Sequence, residues 1–428
     1  MTTRRFKNKP MNQKNKVMSD MKNILFLTSS YPYYPGEQFI ENEIRYWSEQ
    51  SGIKVYIAPY TANGTPRKVP SDINVNLELA SASMSDHFFY AIYALFSSVF
   101  WREVCFVITK YGVSIRCIYQ ALRASASTLR LKNGIKTILK QIGDADVAYC
   151  YWNNSQAYAA TILKKEGIVK KVFSRAHGYD LYENRNKNNY LPLKRQFIDD
   201  VDFMLAISEQ GKKYIESTYD ANTKNILVSR LGVPLNEIYA ACSPNNKLHI
   251  LSVSFCVPVK QINKIIDGMA LSKKKLEHIE VHWTHIGNGP LLGELVSMAE
   301  ERLACLGIGF TFTGIMGNAD VKKYYELNAV DLFINASESE GVPVSIMEAM
   351  SYGVPAIAPN VGGISEIVSN ECGVLLGCAP TSAEISDAIC RMSSKCKAAD
   401  FRAKAKDKIS VLYDAKKNYK ELVELVSA

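Results

Sequence analysis

Residues 335–366 read NASESEGVPVSIMEAMSYGVPAIAPNVGGISE. The apolar run 331–335 closes on Asn335. A polar turn then carries Glu338 and Glu340, and Gly341 and Pro343 lead into a helical pattern over 344–352. A second apolar run, 355–358, follows directly. Short apolar strands flanking a helix suit a parallel sheet covered on both faces. Pro343 fits near the first helical position, where its missing N–H is no loss. The remaining free N–H groups of that first turn would point above the strand ends and form a ready anion site. Glu340 and Glu348 are eight positions apart, one before the helix and one about a turn inside it. Both can face one cleft and accept hydrogen bonds from hydroxyl groups. On spacing alone, two solvated carboxylates favoured by the helix dipole remain an open alternative.

Working outward, the same alternation fills the chain. Upstream strands are predicted at 24–27, 53–58, 147–150, 171–174, 203–206 and 226–228, with helices between them, one over 37–49. The pattern restarts with strands at 248–254, 281–286, 309–312, 331–335, 355–358 and 374–376. Residues 233–247 carry Pro234, Pro244, Asn245 and Asn246 and read as a linker. The fold class is therefore α/β, with two doubly wound, Rossmann-like domains. The expected organisation is a disordered basic leader over 1–20, an N-terminal domain over 21–234, a C-terminal domain over 235–399, and a charged helical segment over 400–428. A chain of 428 residues, 47% of them hydrophobic, is too long for one ordinary core and too apolar for wholesale disorder.

The net charge of +9 permits an anionic membrane surface, a phosphorylated substrate or nucleic acid without choosing among them. No Lys/Arg block in the folded part is long enough for a nucleic-acid arm, and Lys273–Lys275 reads as a solvated helix end. Ten cysteines without a C-x-x-C pair suggest reduced thiols and a cytoplasmic protein. The leader carries Arg4, Arg5, Lys7, Lys9, Lys14 and Lys16 with no apolar core after them, so no signal peptide is expected, and Met21 looks like a more ordinary start. Residues 88–101, FFYAIYALFSSVFW, are too short to span a bilayer, which needs about 20 residues. They read as a buried helix or as one lying on a membrane face. His282 and His285, three apart on a strand, face opposite ways and make a poor metal pair. Asp144 and Asp146 precede a strand and read as a turn. No Walker lysine loop, G-x-S-x-G elbow or convincing metal-binding D-x-D is present.

The 335–366 block resembles the E-x(7)-E motif of the retaining family 4 glycosyltransferases. The match includes the flanking E-G-x-P-x-S-x-x-E-A-M, the G-x-P-x-I-A strand and the G-G-x-x-E turn. The resemblance implies a GT-B fold, with its two domains facing across a cleft. It implies that Glu340 holds the transferred sugar, that Glu348 binds the donor ribose, and that Gly341, Val344 and Ser345 belong to the donor-binding helix start. Residues 22–44 are similar to the family's amino-terminal strand and phosphate-side loop, where Gly36 would permit close backbone approach to the donor or acceptor. SRAHGYDLY, 174–182, resembles R-A-H-x-x-D. It implies His177 beside the transferred sugar, with Arg175 and Asp180 on the acceptor side. LSVSFCVPVK, 251–260, is similar to G-R-x-x-x-x-K: Lys260 matches, but Ser254 and Phe255 replace the glycine and the diphosphate-binding arginine. Arg230 and Arg175 are candidates for the missing cation. HIGNGPLL, 285–292, resembles G-x-G-P, bringing Gly287 and Gly289 to the nucleotide, and Gly314 and Ile315 would meet the base through the backbone.

The resemblance further implies a nucleotide-sugar-dependent, retaining transfer to a growing, lipid-linked surface polysaccharide or oligosaccharide, as in capsule, lipopolysaccharide or exopolysaccharide synthesis. Glu340, His177 and Lys260 would be catalytic. No cofactor beyond the nucleotide-sugar co-substrate, no essential metal and no nucleic-acid partner are expected. The inner face of the plasma membrane is the surface on which such an enzyme would sit. Two readings compete: a non-catalytic GT-B scaffold in a polysaccharide assembly complex, which Phe255 favours, and a GT-B epimerase or phosphorylase.

Overall fold

A computed structural model describes residues 21–219 and 223–428, so the expected leader over 1–20 lies outside the described residues. Seven parallel strands form the first sheet: β1 (Lys22–Thr28), β2 (Ile53–Pro59), β3 (Asn74–Val75), β4 (Ala145–Cys150), β5 (Val169–Ala176), β6 (Phe203–Ala206) and β7 (Ile226–Val228). Their order is β3-β2-β1-β4-β5-β6-β7. Six parallel strands form the second: β8 (Lys247–Val253), β9 (Glu280–Ile286), β10 (Gly309–Gly314), β11 (Leu332–Ile334), β12 (Ala356–Pro359) and β13 (Gly373–Leu376), ordered β10-β9-β8-β11-β12-β13. Ile24, Leu25, Phe26 and Leu27 are wholly buried, in keeping with an unbroken apolar run in the middle of the central strand rather than apolar residues at alternate positions. In both sheets the strand order reverses beside the first strand, between β1 and β4 and between β8 and β11. Ligands bind at such switch points, above the carboxyl ends of the strands.

Three differences from the sequence reading bear on the site. The helix expected over 37–49 is a 3-10 turn, Gln38–Asn42, followed by a helix at Ile44–Glu49. Glu43 at the break turns its carboxylate into the core. The edge strand β3, two exposed residues long, carries no apolar signal. The terminal segment is two helices rather than one. Ala399–Leu412 packs on the second domain through Ala405 and Ile409, while Ala415–Ser427 crosses to the first through Tyr419, Leu422, Val423 and Val426. The two crossing strands of chain run side by side, Val233 N–H donating to Tyr413 at 2.9 Å and Ala415 N–H to Val233 at 3.1 Å.

Candidate active site

The polar turn after β11 is held from several directions. Asn335 accepts from the Ser337 N–H at 2.9 Å and donates to Glu340 Oε1 at 3.3 Å. Glu338 N–H donates to Val259 at 2.8 Å, joining this turn to the Pro258–Lys260 turn that follows β8. Lys260 Nζ then lies 2.6 Å from Glu340 Oε1. Gly362 presses against the same turn with φ +54°, and a Cβ there would sit 1.9 Å from the Glu340 carbonyl oxygen. The helix Val344–Ser351 starts from Pro343, which takes the N-cap position rather than the first helical one, and no side chain caps its first turn. The N–H groups of Val344 and Ser345, the first two of the helix, have no acceptor within it, and both residues line the cleft.

Two compartments meet here. The smaller, about 200 Å³, is walled by Gly287, Ile315, Val344, Ser345 and Glu348, with Phe39 and Asn42 closing it from the first domain. Glu348 is buried and accepts from Asn318 Nδ2 at 2.6 Å. Burial pushes its carboxyl above the ordinary carboxylate range, against the opposing pulls of Asn318 and Lys322. The larger, about 1110 Å³, is lined by Lys260, Glu340 and Gly341 on one side and by Trp152, His177, Tyr179 and Arg185 on the other. Phe255 is about half exposed and lines both, so an apolar ring stands where the family's arginine is expected.

His177 follows β5 and is held between the rings of Tyr151, 4.9 Å away, and Trp152, 4.4 Å away. Its backbone N–H donates to Asp180 Oδ1 at 2.8 Å; among the described residues both buried ring nitrogens lack a hydrogen-bond partner, although Nδ1 lies 3.9 Å from Asp180 Oδ2. Such an imidazole is poised for a ligand hydroxyl.

Several expected positions need correction. Arg175 is not on the acceptor side. It is fully buried, 2.7 Å from Glu43 Oε2, and donates to the Ser229 carbonyl at 3.0 Å. Both it and His177 approach the Tyr151 ring, but His177 lies beyond the end of β5, at the cleft, whereas Arg175 is still within the strand and turned to Glu43. Asp180 is also buried and tied to backbone, accepting from Asn153 N–H at 2.8 Å as well as from His177; it shapes the loop rather than facing the cleft. Lys194 supports the same loop, donating to the Asn153 carbonyl at 3.0 Å and to that of Asp180. Arg230 is engaged by Glu366 at 3.1 Å and lines neither compartment, so neither candidate replaces the missing arginine. Gly36, Gly289 and Gly314 line neither compartment either. Gly36 packs against Ser30, and Gly314 accepts the Gly287 N–H at 2.9 Å, supporting the wall from behind.

The remaining histidine and aspartate candidates are structural. His285 is buried between Ser252 Oγ at 2.8 Å and Cys256 Sγ at 3.5 Å, and burial lowers its pKa to about 4. Asp146 accepts from Asn23 N–H and pairs with Lys170 at the base of the first sheet. Phe39, Trp152, Arg185 and Asn318 reach the site without any local signal in the sequence, since each depends on where another element is placed.

Comparison with known proteins agrees with this architecture. Residues 240–408 match the family model described as glycosyl transferases group 1. WcaL of Escherichia coli K12, assigned as a colanic acid biosynthesis glycosyltransferase, is 26% identical over 277 residues, covering 61% of this chain and 65% of its own. TuaC of Bacillus subtilis 168, assigned to teichuronic acid biosynthesis, is 24% identical over 283 residues, covering 60% and 64%. The matched stretch thus spans a little under two thirds of these relatives. The structure of HepE from Anabaena in complex with UDP and glucose superposes with a TM-score of 0.63 at 16% identity, covering 95% of this chain and all of that one. The fold is GT-B. Its second domain carries the group 1 signature, and the chain resembles glycosyltransferases of polysaccharide biosynthesis.

Proposed function

We propose that this protein is a retaining glycosyltransferase that moves a sugar from a nucleotide-sugar donor to a saccharide acceptor, lipid-linked, in surface polysaccharide synthesis. One observation carries the reading: Glu340, Lys260 and the uncapped start of the Val344–Ser351 helix converge on one wall, facing across the cleft the His177 imidazole, whose ring nitrogens make no hydrogen bond among the described residues. The nucleoside would occupy the smaller compartment with its ribose on Glu348. The diphosphate would meet the helix N–H groups and Lys260, and the sugar would lie between Glu340 and His177. The acceptor would enter the larger compartment past Trp152 and Tyr179. In the transfer, the bond from the anomeric carbon to the phosphate oxygen breaks and the nucleoside diphosphate leaves with the electron pair. The acceptor oxygen bonds to the same face of that carbon, and its proton passes to the departing phosphate. The protein contributes position and charge stabilisation. Lys260 and the helix dipole oppose the charge that grows on the leaving group, so no essential metal is proposed.

A cytoplasmic location on a membrane face is part of this reading. The helices Met84–Leu95 and Ser98–Tyr111 are bent by 67° against each other, and no single helix among the described residues is long and apolar enough to cross a membrane. Phe88, Phe96 and Trp101 stand exposed on this pair, and Val113 and Ile115 just beyond it, with exposed Arg102, Lys110 and Arg116 nearby. Apolar side chains among basic ones suit an anionic lipid surface.

The test is incubation with UDP-, GDP- and ADP-sugars, with and without membranes carrying lipid-linked saccharide, followed by nucleotide release and anomeric analysis of the product. Release from one donor, lost in Glu348→Ala, with a retained anomer supports the proposal. No release from any donor in the presence of acceptor membranes sinks it and favours the scaffold.

A further inference from the structure

The position held by arginine in the resembled motif is Phe255 here, and neither Arg175 nor Arg230 reaches the cleft. We infer that Arg185, contributed by the opposite domain, supplies the second cation for the donor diphosphate. This rests on the donor-site reading above.

Among the described residues, Lys260 and Arg185 are the two Lys or Arg side chains lining the larger compartment. They differ in how they are engaged. Lys260 is paired with Glu340, whereas Arg185 forms no ion pair with a carboxylate among the described residues. Its guanidinium stacks on the Tyr182 ring at 4.4 Å and donates one N–H across the cleft to the Glu340 carbonyl oxygen. Glu340 stands three residues before the Pro343 N-cap of the uncapped helix, and Arg185, Val344 and Ser345 line the same compartment, so the guanidinium opens on the space into which a diphosphate at that helix start would be received. A guanidinium has five donors in a planar fork matched to phosphate oxygens, so one bond to a carbonyl leaves the others for an anion.

Gly178 lies against this side chain. A Cβ there would come 2.2 Å from Arg185 Nη1, a flexible end that can shift, and 3.2 Å from the Gly341 Cα, so glycine at 178 eases the close approach of the two domains beside the guanidinium. A diphosphate held by Lys260 from one domain and Arg185 from the other would be gripped across the cleft. Donor binding would then favour the closed arrangement of the domains.

The experiment measures binding of UDP, GDP and ADP, and of the corresponding nucleosides, to the full chain by calorimetry. It compares wild type, Arg185→Gln, Arg185→Lys and Glu348→Ala. Arg185→Gln is expected to weaken the preferred nucleoside diphosphate by about tenfold to a hundredfold, as for loss of a charged hydrogen bond. Nucleoside affinity should stay unchanged, and Arg185→Lys should fall between. A residue that only clasps Glu340 would lower the melting temperature without changing the ratio of diphosphate to nucleoside affinity, and that outcome overturns the inference. If wild type binds a nucleoside diphosphate, Glu348→Ala loses it and Arg185→Gln keeps it, the role of Arg185 alone falls. If wild type binds none of the three, the donor-site reading falls and takes this inference with it.

Discussion

Lys260 Nζ stands 2.6 Å from Glu340 Oε1, joining the turns that follow β8 and β11 at the point where the strand order of the second sheet reverses. The pair is partly buried, and Asn335 gives Glu340 a second bond. It therefore fixes the geometry of the proposed donor wall as well as its charge.

Removing either partner should cost transfer activity far more than folding. Lys260→Ala and Glu340→Ala are each expected to lose about 3–4 kcal/mol of transition-state stabilisation, roughly a hundredfold to a thousandfold in kcat. The double variant should lose less than the product of the two, because the residues act as one unit. Steady-state kinetics with unchanged melting curves checks this; near-full activity in either single variant contradicts the assignment.

Gly362 and Gly307 separate strain from contact. Both have positive φ, +54° and +67°, but a Cβ on Gly307 would meet nothing within 4 Å, whereas one on Gly362 would strike the Glu340 carbonyl. Gly307→Ala should cost only about 1–2 kcal/mol of stability, the left-handed penalty, with activity intact. Gly362→Ala must also push the Glu340 turn aside, and its kcat should fall by at least tenfold. Equal activities in the two variants would show that this turn tolerates displacement.

Arg175 now carries a stability prediction in place of an acceptor one. Arg175→Met strands the Glu43 carboxylate in the core and should destabilise by about 3–5 kcal/mol in chemical denaturation. Adding Glu43→Gln removes the stranded charge but keeps an acceptor for Trp47 Nε1, now 3.0 Å from Glu43, and should recover most of the loss. Failure of the second substitution to recover stability would mean that the pair is not what Arg175 supports.

His285 sets a pH dependence. Burial lowers its pKa from the usual 6.5 to about 4. Between those values the unfolded chain binds a proton that the folded chain refuses. Stability is therefore lost as pH falls from about 6.5 towards 4, by about 3 kcal/mol from this group. Denaturation midpoints across that range should fall less steeply for His285→Gln than for the wild type. Parallel curves would contradict the assignment.

Much of this was legible because it is local. The apolar runs within β1, β4, β8 and β11 announce parallel strands, since a strand buried on both faces is mostly apolar on both. The two-residue β3 and the break at Glu43 were not legible, because each answers to neighbours distant in sequence. Glu340, Glu348, Lys260 and His177 stood out through their resemblance to family motifs, which spacing alone would have left open, and the structure lines the two joined compartments with them. The same resemblance pointed to Arg175 and Asp180, but both turn inward, because the direction a side chain takes from a strand or turn depends on what packs against it.

The amino-acid sequence by itself determined the two doubly wound domains, the helix start after β11 and the carboxylates that flank it. Periodicity, turn residues and spacing are properties of a few neighbouring positions, and they act whatever the rest of the chain does. Only the tertiary structure decided which cations face the cleft. Arg175 satisfies a buried glutamate, Arg230 pairs with Glu366, and Arg185 crosses from the other domain to the turn at Glu340. An ion pair or a domain contact depends on separations of a few ångströms between residues far apart along the chain, and no local pattern encodes that.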